Sequence, residues 1–275
     1  MTIVNTALNA IFSAVLLPFR SLEPGIGLTV ISFLSGILFL MLFKKTSNQK
    51  AIKSIRDQMR ASIFEIRIFQ HDIGLVFRAQ GRILLQTAVY LRYSLVPIVF
   101  ICVPLIIIAI HCNLYFGYRP LREGEAAIVS VQMKEGTASG TASDVFLETP
   151  PEVTVETPPI FLESLNRIEW RVRAKKGGNY RITLRTRNLK YEKYLAVGNR
   201  LLRLSPVKPA RGILSQLANP AEPPLPADSP VKYIKLGYPA RNGAFFGWNV
   251  HWLIPFFILT LIFGFAFKGM MRVEI

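Results

Sequence analysis

Residues 96–110 read VPIVFICVPLIIIAI, fifteen positions without a single charge. Extended to Tyr93 on one side and Asn113 on the other, the run reaches the ~20 residues that an α-helix needs to cross ~30 Å of hydrocarbon. Two further windows share this character. Residues 24–43 carry no charge and end at Lys44 and Lys45; residues 248–267 carry none and end at Lys268. Tyr93, Trp248 and Trp252 lie near segment ends, where amphipathic rings favour the membrane–water interface. Three spans therefore frame the chain.

The composition agrees. Of 275 residues, 51% are hydrophobic and 18% charged, against about a quarter charged in an average soluble domain. The charge is lopsided, with 33 Lys and Arg against 17 Asp and Glu, for a net +16. This excludes an acidic disordered chain and argues against a soluble cytoplasmic enzyme. Cys102 and Cys112 are ten residues apart in one apolar segment; on a helix they stand about 15 Å apart along the axis, beyond disulfide reach.

Orientation follows from the loops. Residues 44–92 hold ten Lys and Arg against three Asp and Glu, and the tail at 268–275 adds Lys268 and Arg272 against Glu274. The positive-inside rule puts both in the cytoplasm, so the N-terminus is expected outside. Residues 114–247, also basic on balance, form a segment too long to count under that rule.

The first 22 residues form a separate element. Ile3, Val4, Ala7, Leu8, Ile11, Phe12, Val15, Leu16 and Phe19 fall on one face at helical period, with Thr2, Asn5, Thr6, Asn9 and Ser13 on the other. No Lys or Arg precedes the apolar stretch, unlike in a signal peptide. The expectation is an interfacial helix on the outer leaflet, with a break at Pro24-Gly25.

The loop at 44–92 reads as a helical hairpin. Ile52, Ile55, Met59, Ile63 and Ile66 recur at three and four, between Lys50, Lys53, Arg56, Arg60 and Arg67. A first arm is expected from Ser47 to Gln70 and a break at His71-Asp72-Ile73-Gly74, with Asp72 as N-cap. The second arm runs through Arg78, Arg82 and Arg92 into span two. Its basic outer face suits plain solvation, anionic lipid headgroups or ribosomal RNA phosphates alike.

After span two the pattern changes to alternation. Residues 125–131, 153–157, 167–174, 180–186 and 192–197 read as half-buried strands. In the third, Ile168, Trp170, Val172 and Ala174 share one face, and Trp170 is expected in the core. Lys175 to Asn179 is the turn that follows. Short antiparallel strands of this kind predict an immunoglobulin-like sandwich outside the membrane. Glu135 to Ser143 is flexible by composition, and the seven prolines between Pro206 and Pro230 predict a stiff tether towards span three. The fold class is thus an α+β membrane protein.

Chemistry is sparse. His71, His111 and His251 are the three histidines, and no hydrolase, P-loop or dinucleotide-binding motif occurs. No catalytic residue, metal site or cofactor is expected, nor DNA as a partner. Polar residues within hydrocarbon are costly and so informative. Thr29, Ser32 and Ser35 form a stripe with Gly36 in span one, and Thr260 lies within span three. They suit helix packing or a shallow hydrophilic groove.

The order of outer helix, span, basic hairpin and span resembles the YidC/Oxa-type membrane insertases. The stretch KKTSNQKAIKSIRDQMRASIFEIRIF, residues 44–69, resembles the basic start of their coiled-coil hairpin. Span two, with Pro97 and Pro104, is similar to their proline-spaced third transmembrane helix. Three spans are more like the short archaeal forms and the related subunit of the endoplasmic-reticulum membrane complex. The resemblance implies an insertase that guides substrate helices along a groove without cofactor or nucleotide hydrolysis. The family's groove arginine has no counterpart between Pro24 and Phe43, leaving Arg20 as the candidate groove cation. Expected partners are membrane lipids, other membrane proteins as clients or complex subunits, and the ribosome. A non-catalytic scaffold subunit of a larger membrane complex is the alternative. The bacterial inner membrane is the expected location.

Overall fold

A computed structural model describes residues 3–134, 145–186, 189–241, 244–245 and 248–273. The expected flexible stretch from Glu135 to Ser143 lies outside them, as do Thr2 and Glu274. The chain is α+β and divides into two compact units, Met1–Leu28 with Ile107–Trp252, and Thr29–Ile106 with Leu253–Ile275.

Four helices occupy the first 112 residues: α1 (Ile3–Leu16), α2 (Pro24–Thr46), α3 (Gln49–Ile68) and α4 (Ile73–Cys112). Two more follow among the described residues, a short α5 (Ile213–Ala218) among the strands and α6 (Leu253–Lys268). A 3-10 turn at Leu17–Phe19 extends α1. Pro24 opens α2 at the first helical position, where its missing N–H costs nothing. Asn48 caps α3 by accepting from the Ala51 amide at 3.1 Å. Asp72 caps α4 by accepting from the Leu75 amide at 3.1 Å, as its position predicts. The second hairpin arm and span two are one helix of 40 residues, about 60 Å long. It runs through Pro97 and Pro104 and ends in a π-turn at Asn113–Gly117.

Among the described residues, two helices, α2 and the α4 run, are long and apolar enough to cross a membrane. The expected third window is differently bounded. Its helix, α6, has sixteen residues, while Trp248–Asn249 pair instead with Ala244–Phe245 as a short antiparallel ladder. Pro255 falls in the first turn of α6, where a missing N–H breaks no helix hydrogen bond.

In the Thr29–Ile106 unit, α3 and α4 form the antiparallel hairpin. Arg82 bonds Glu65 at 2.5 Å and Gln86 faces Gln58, so rising numbers on one arm meet falling numbers on the other. Ile52, Ile55, Ser62 and Ala79 are its buried contacts. Ile63, expected inside, is exposed, because Ser62 takes the inward position one residue earlier.

The other unit holds the longer strands. β1 (Ala126–Met133), β5 (Arg167–Ala174) and β9 (Val231–Leu236) form the middle of one antiparallel sheet. With β3 (Val153–Val155) and β8 (Val207–Lys208) at its ends, the order is β3-β5-β1-β9-β8, and β4 (Ile160–Leu162) also pairs with β5. A second antiparallel sheet is built from β2 (Phe146–Glu148), β6 (Gly178–Arg185) and β7 (Lys190–Val197), in that order. Ile168, Trp170, Val172 and Ala174 of the first sheet share one core with Ile182, Leu184 and Leu195 of the second. The alternation read for β5 is therefore the observed one, with Trp170 inside.

The proline-rich stretch is not the expected tether. It pairs with the sheet through β8, carries α5 and buries Leu225 and Ser229. The Leu225 amide donates to the Pro209 carbonyl at 2.9 Å, folding the segment back on itself. Prolines remove donors but leave carbonyls, and those carbonyls are used here.

Candidate functional site

The candidate site lies among α2, α4 and α6. Gly36 lets α2 and α6 touch: a Cβ there would stand 2.9 Å from the Thr260 carbonyl oxygen and 3.1 Å from Phe263 Cβ. Phe33 packs edge-on against Phe263 and Phe267, at 5.3 and 5.6 Å between ring centroids. Further along, Lys44 Nζ donates to the Met271 carbonyl at 2.7 Å. Rising numbers meet rising numbers, so these two helices run parallel, and Lys44 and Met271 share one end.

Beside this contact is a cavity of about 270 Å³, lined by Gly36 and Phe43 of α2, Ile101 and Leu105 of α4, and Phe257 and Phe265 of α6. Thr260 is the one polar side chain among its lining residues. Ser32 and Ser35 are buried but do not line it, and Thr29 is half-buried. Ser32 Oγ and Thr260 Oγ1 have no hydrogen-bond partner among the described residues. The arrangement favours apolar guests, since it offers nothing to balance a charge.

Arg20, the candidate groove cation, belongs to the other unit. Its carbonyl accepts from the Leu201 amide at 3.0 Å, and its Nε is buried with no hydrogen-bond partner among the described residues. Of the hairpin cations, Lys50, Lys53, Arg60 and Arg67 are exposed and Arg56 is half-buried. Around the hairpin turn, Phe64, Ile68, Phe69, Ile73 and Phe77 are exposed as well. Sequence reasoning missed this apolar tip. Its signal was present as aromatic residues at both arm ends next to the predicted break.

A second omission is a buried ion pair. Lys193 lies on the inward face of β7, between Tyr191 and Leu195, and is 1% exposed. Its Nζ donates to Glu222 Oε1 and Ser205 Oγ, each at 2.9 Å, and to the Ser205 carbonyl. Glu222 Oε1 also accepts from the Tyr194 amide. Burial lowers the Lys193 pKa to about 8, against the opposing pull of Glu222. In the same unit, Arg119 holds Glu125 in two bonds of 2.7 and 2.8 Å. The guanidinium brings the Glu125 pKa down to about 2. Lys193–Glu222 ties the proline-rich segment to β7, and Arg119–Glu125 spans the turn that precedes β1.

Among the described residues, no group of three His, Cys, Asp or Glu side chains is placed to hold a metal ion. Comparison with known protein families, with curated proteins and with solved structures gives no match.

Proposed function

We propose that the chain is a multi-pass membrane protein that guides apolar segments of other membrane proteins, an insertase-like assembly factor of the YidC/Oxa architectural type. The apolar cavity among α2, α4 and α6 carries this reading. It suits an apolar side chain from a passing helix and nothing ionic. In this reading α6 is the third span, its sixteen residues extended by the uncharged stretch around Trp252. The hairpin and the tail lie in the cytoplasm of a bacterial cell, and the strands form an exported immunoglobulin-like sandwich. The parallel course of α2 and α6 supports this, because it puts Lys44 and Met271 at one end.

The test is photo-crosslinking in living cells from a probe placed at Leu105 or Phe257, with a probe at outward-facing Val99 as control. Crosslinks to many newly made membrane proteins from the two cavity positions, and not from Val99, are expected. Crosslinks only to one fixed set of subunits would overturn the insertase reading. They would favour a structural subunit of a larger complex, a second reading suggested by the close contact at Gly36.

A further inference from the structure

Helix α1 is amphipathic the wrong way round for a soluble protein. Its buried positions are Asn5, Asn9, Phe12 and Leu16. Its exposed positions include Ile3, Val4, Ala7, Ala10, Ile11 and Ala14, and no charge occurs before Arg20. The polar face grips the strand-bearing unit. Asn5 Nδ2 donates to the Gln216 carbonyl and Asn9 Nδ2 to the Pro220 carbonyl, both at 2.8 Å. Ser13 and Tyr115 share a hydroxyl bond of 3.0 Å. A soluble domain would turn such a helix over, since burying two asparagines while showing Ile3 and Ile11 to water loses on both faces.

The same unit contains the first residues of α2 and the last of α4, and α1 packs on each. A Cβ at Gly27 of α2 would stand 3.2 Å from Leu16 Cδ2. Phe12 stacks on His111 near the end of α4, at 5.1 Å between centroids. Leu16 and Phe12 of the buried face thus hold α1 at these ends of the two long apolar helices, with Ile3, Val4 and Ile11 left exposed. Ile3–Phe19 is shorter than the two helices long enough to cross a membrane, and its asparagines are bonded to the strand-bearing unit where a span would have to place them in hydrocarbon. Just beyond it, the Leu201 to Arg20 hydrogen bond brings exposed Arg200 and Arg203 beside Arg20, where lipid phosphates would lie.

We propose that α1 is a lipid-docking foot of the strand-bearing unit. Its aliphatic face sinks into the leaflet at that end of α2 and α4, and its asparagine face fixes the sheets to it. The occupant is the bilayer itself, with phosphate headgroups against the three arginines. This rests on α2 and α4 crossing the membrane, and the test separates the two claims.

The full chain, with Cys102→Ser and Cys112→Ala, carries one spin label at a time in phosphatidylcholine–phosphatidylglycerol nanodiscs. The labels are at Ile11→Cys on α1, Leu34→Cys on α2 and Tyr194→Cys on β7. Collision with oxygen reports lipid, and collision with a nickel chelate reports water. The Ile11 label should resemble Leu34, with an oxygen-to-nickel ratio several-fold above that of Tyr194. A nickel-accessible Ile11 beside a protected Leu34 would overturn the foot and leave the spans standing. Protection of Ile11 from both reagents would mean that a second copy covers it, which also overturns the lipid assignment. A nickel-accessible Leu34 would overturn the spans, and the foot with them. If Cys112→Ala disturbs folding, fluorescence quenching by brominated lipid of a dye at the same positions, attached through an unnatural residue in the unmodified chain, reads the same contrast.

Discussion

Lys193 stands where strand alternation calls for an apolar side chain, and its partner comes from a segment that reads as a linker. Replacing one member leaves the other buried without a countercharge. Lys193→Met is expected to cost about 3–5 kcal/mol, and Lys193→Met with Glu222→Leu to recover most of it; urea unfolding of the full chain in detergent, followed by tryptophan fluorescence, checks both. Gly36 makes the complementary case within the helices. With the Thr260 carbonyl oxygen 2.9 Å from where an alanine methyl would stand, Gly36→Ala forces α2 and α6 apart and should cost about 1–3 kcal/mol. Gly264→Ala, which meets nothing within 4 Å, should leave the melting temperature in detergent unchanged or higher. Glu125 adds a pH dependence. Its pKa falls from 4.5 in the free group to about 2 beside Arg119, so the pair's stabilisation is complete above pH 4.5. That contribution drains away as pH falls towards 2, and Glu125→Gln should flatten this part of an acid-unfolding curve.

At the scale of elements, the hairpin turn depends on one cap. Asp72→Ala removes the acceptor for the Leu75 amide and should cost about 0.5–2 kcal/mol. Limited proteolysis should then cut faster at residues 69–72, with Asp72→Asn close to wild type. This cap was legible because its signal is local: an acidic residue just before a periodic apolar run. The same holds for α2, for the apolar half of α4 and for the alternation of β5. β9 was not legible. VKYIKL alternates poorly, and it is a strand because β1 and β8 flank it, not because of its own pattern. The seven prolines misled for a related reason, since composition reports stiffness and says nothing of where a stiff segment docks. For α1 the two faces could be read, but not which one meets protein. In the candidate site, the small-residue stripe could be placed on its helices. The cavity could not, because it exists only where three helices distant in sequence leave a gap.

For the molecule as a whole, the proposed orientation makes a sharp prediction. Protease added outside intact spheroplasts should remove the sandwich between residues 114 and 247 and spare the hairpin at 44–92. Opening the spheroplasts should expose the hairpin to cleavage. The charge count that suggests this orientation draws on short loops alone, and it is independent of the parallel packing of α2 and α6.

The sheet order has a kinetic consequence. β1 lies between β5 and β9, with Val131 opposite Ile168 on one side and Ile234 on the other. One of its two edges is closed by a strand that follows about 100 residues later. At roughly 5–20 residues per second of synthesis, that edge of β1 stays open for about 5–20 s after it emerges. Pairing over such a separation is slow in itself, and an open strand edge is a template for association with other chains. This sheet is thus among the last parts of the protein to close, and the step most exposed to failure when the chain is made faster than it can be delivered.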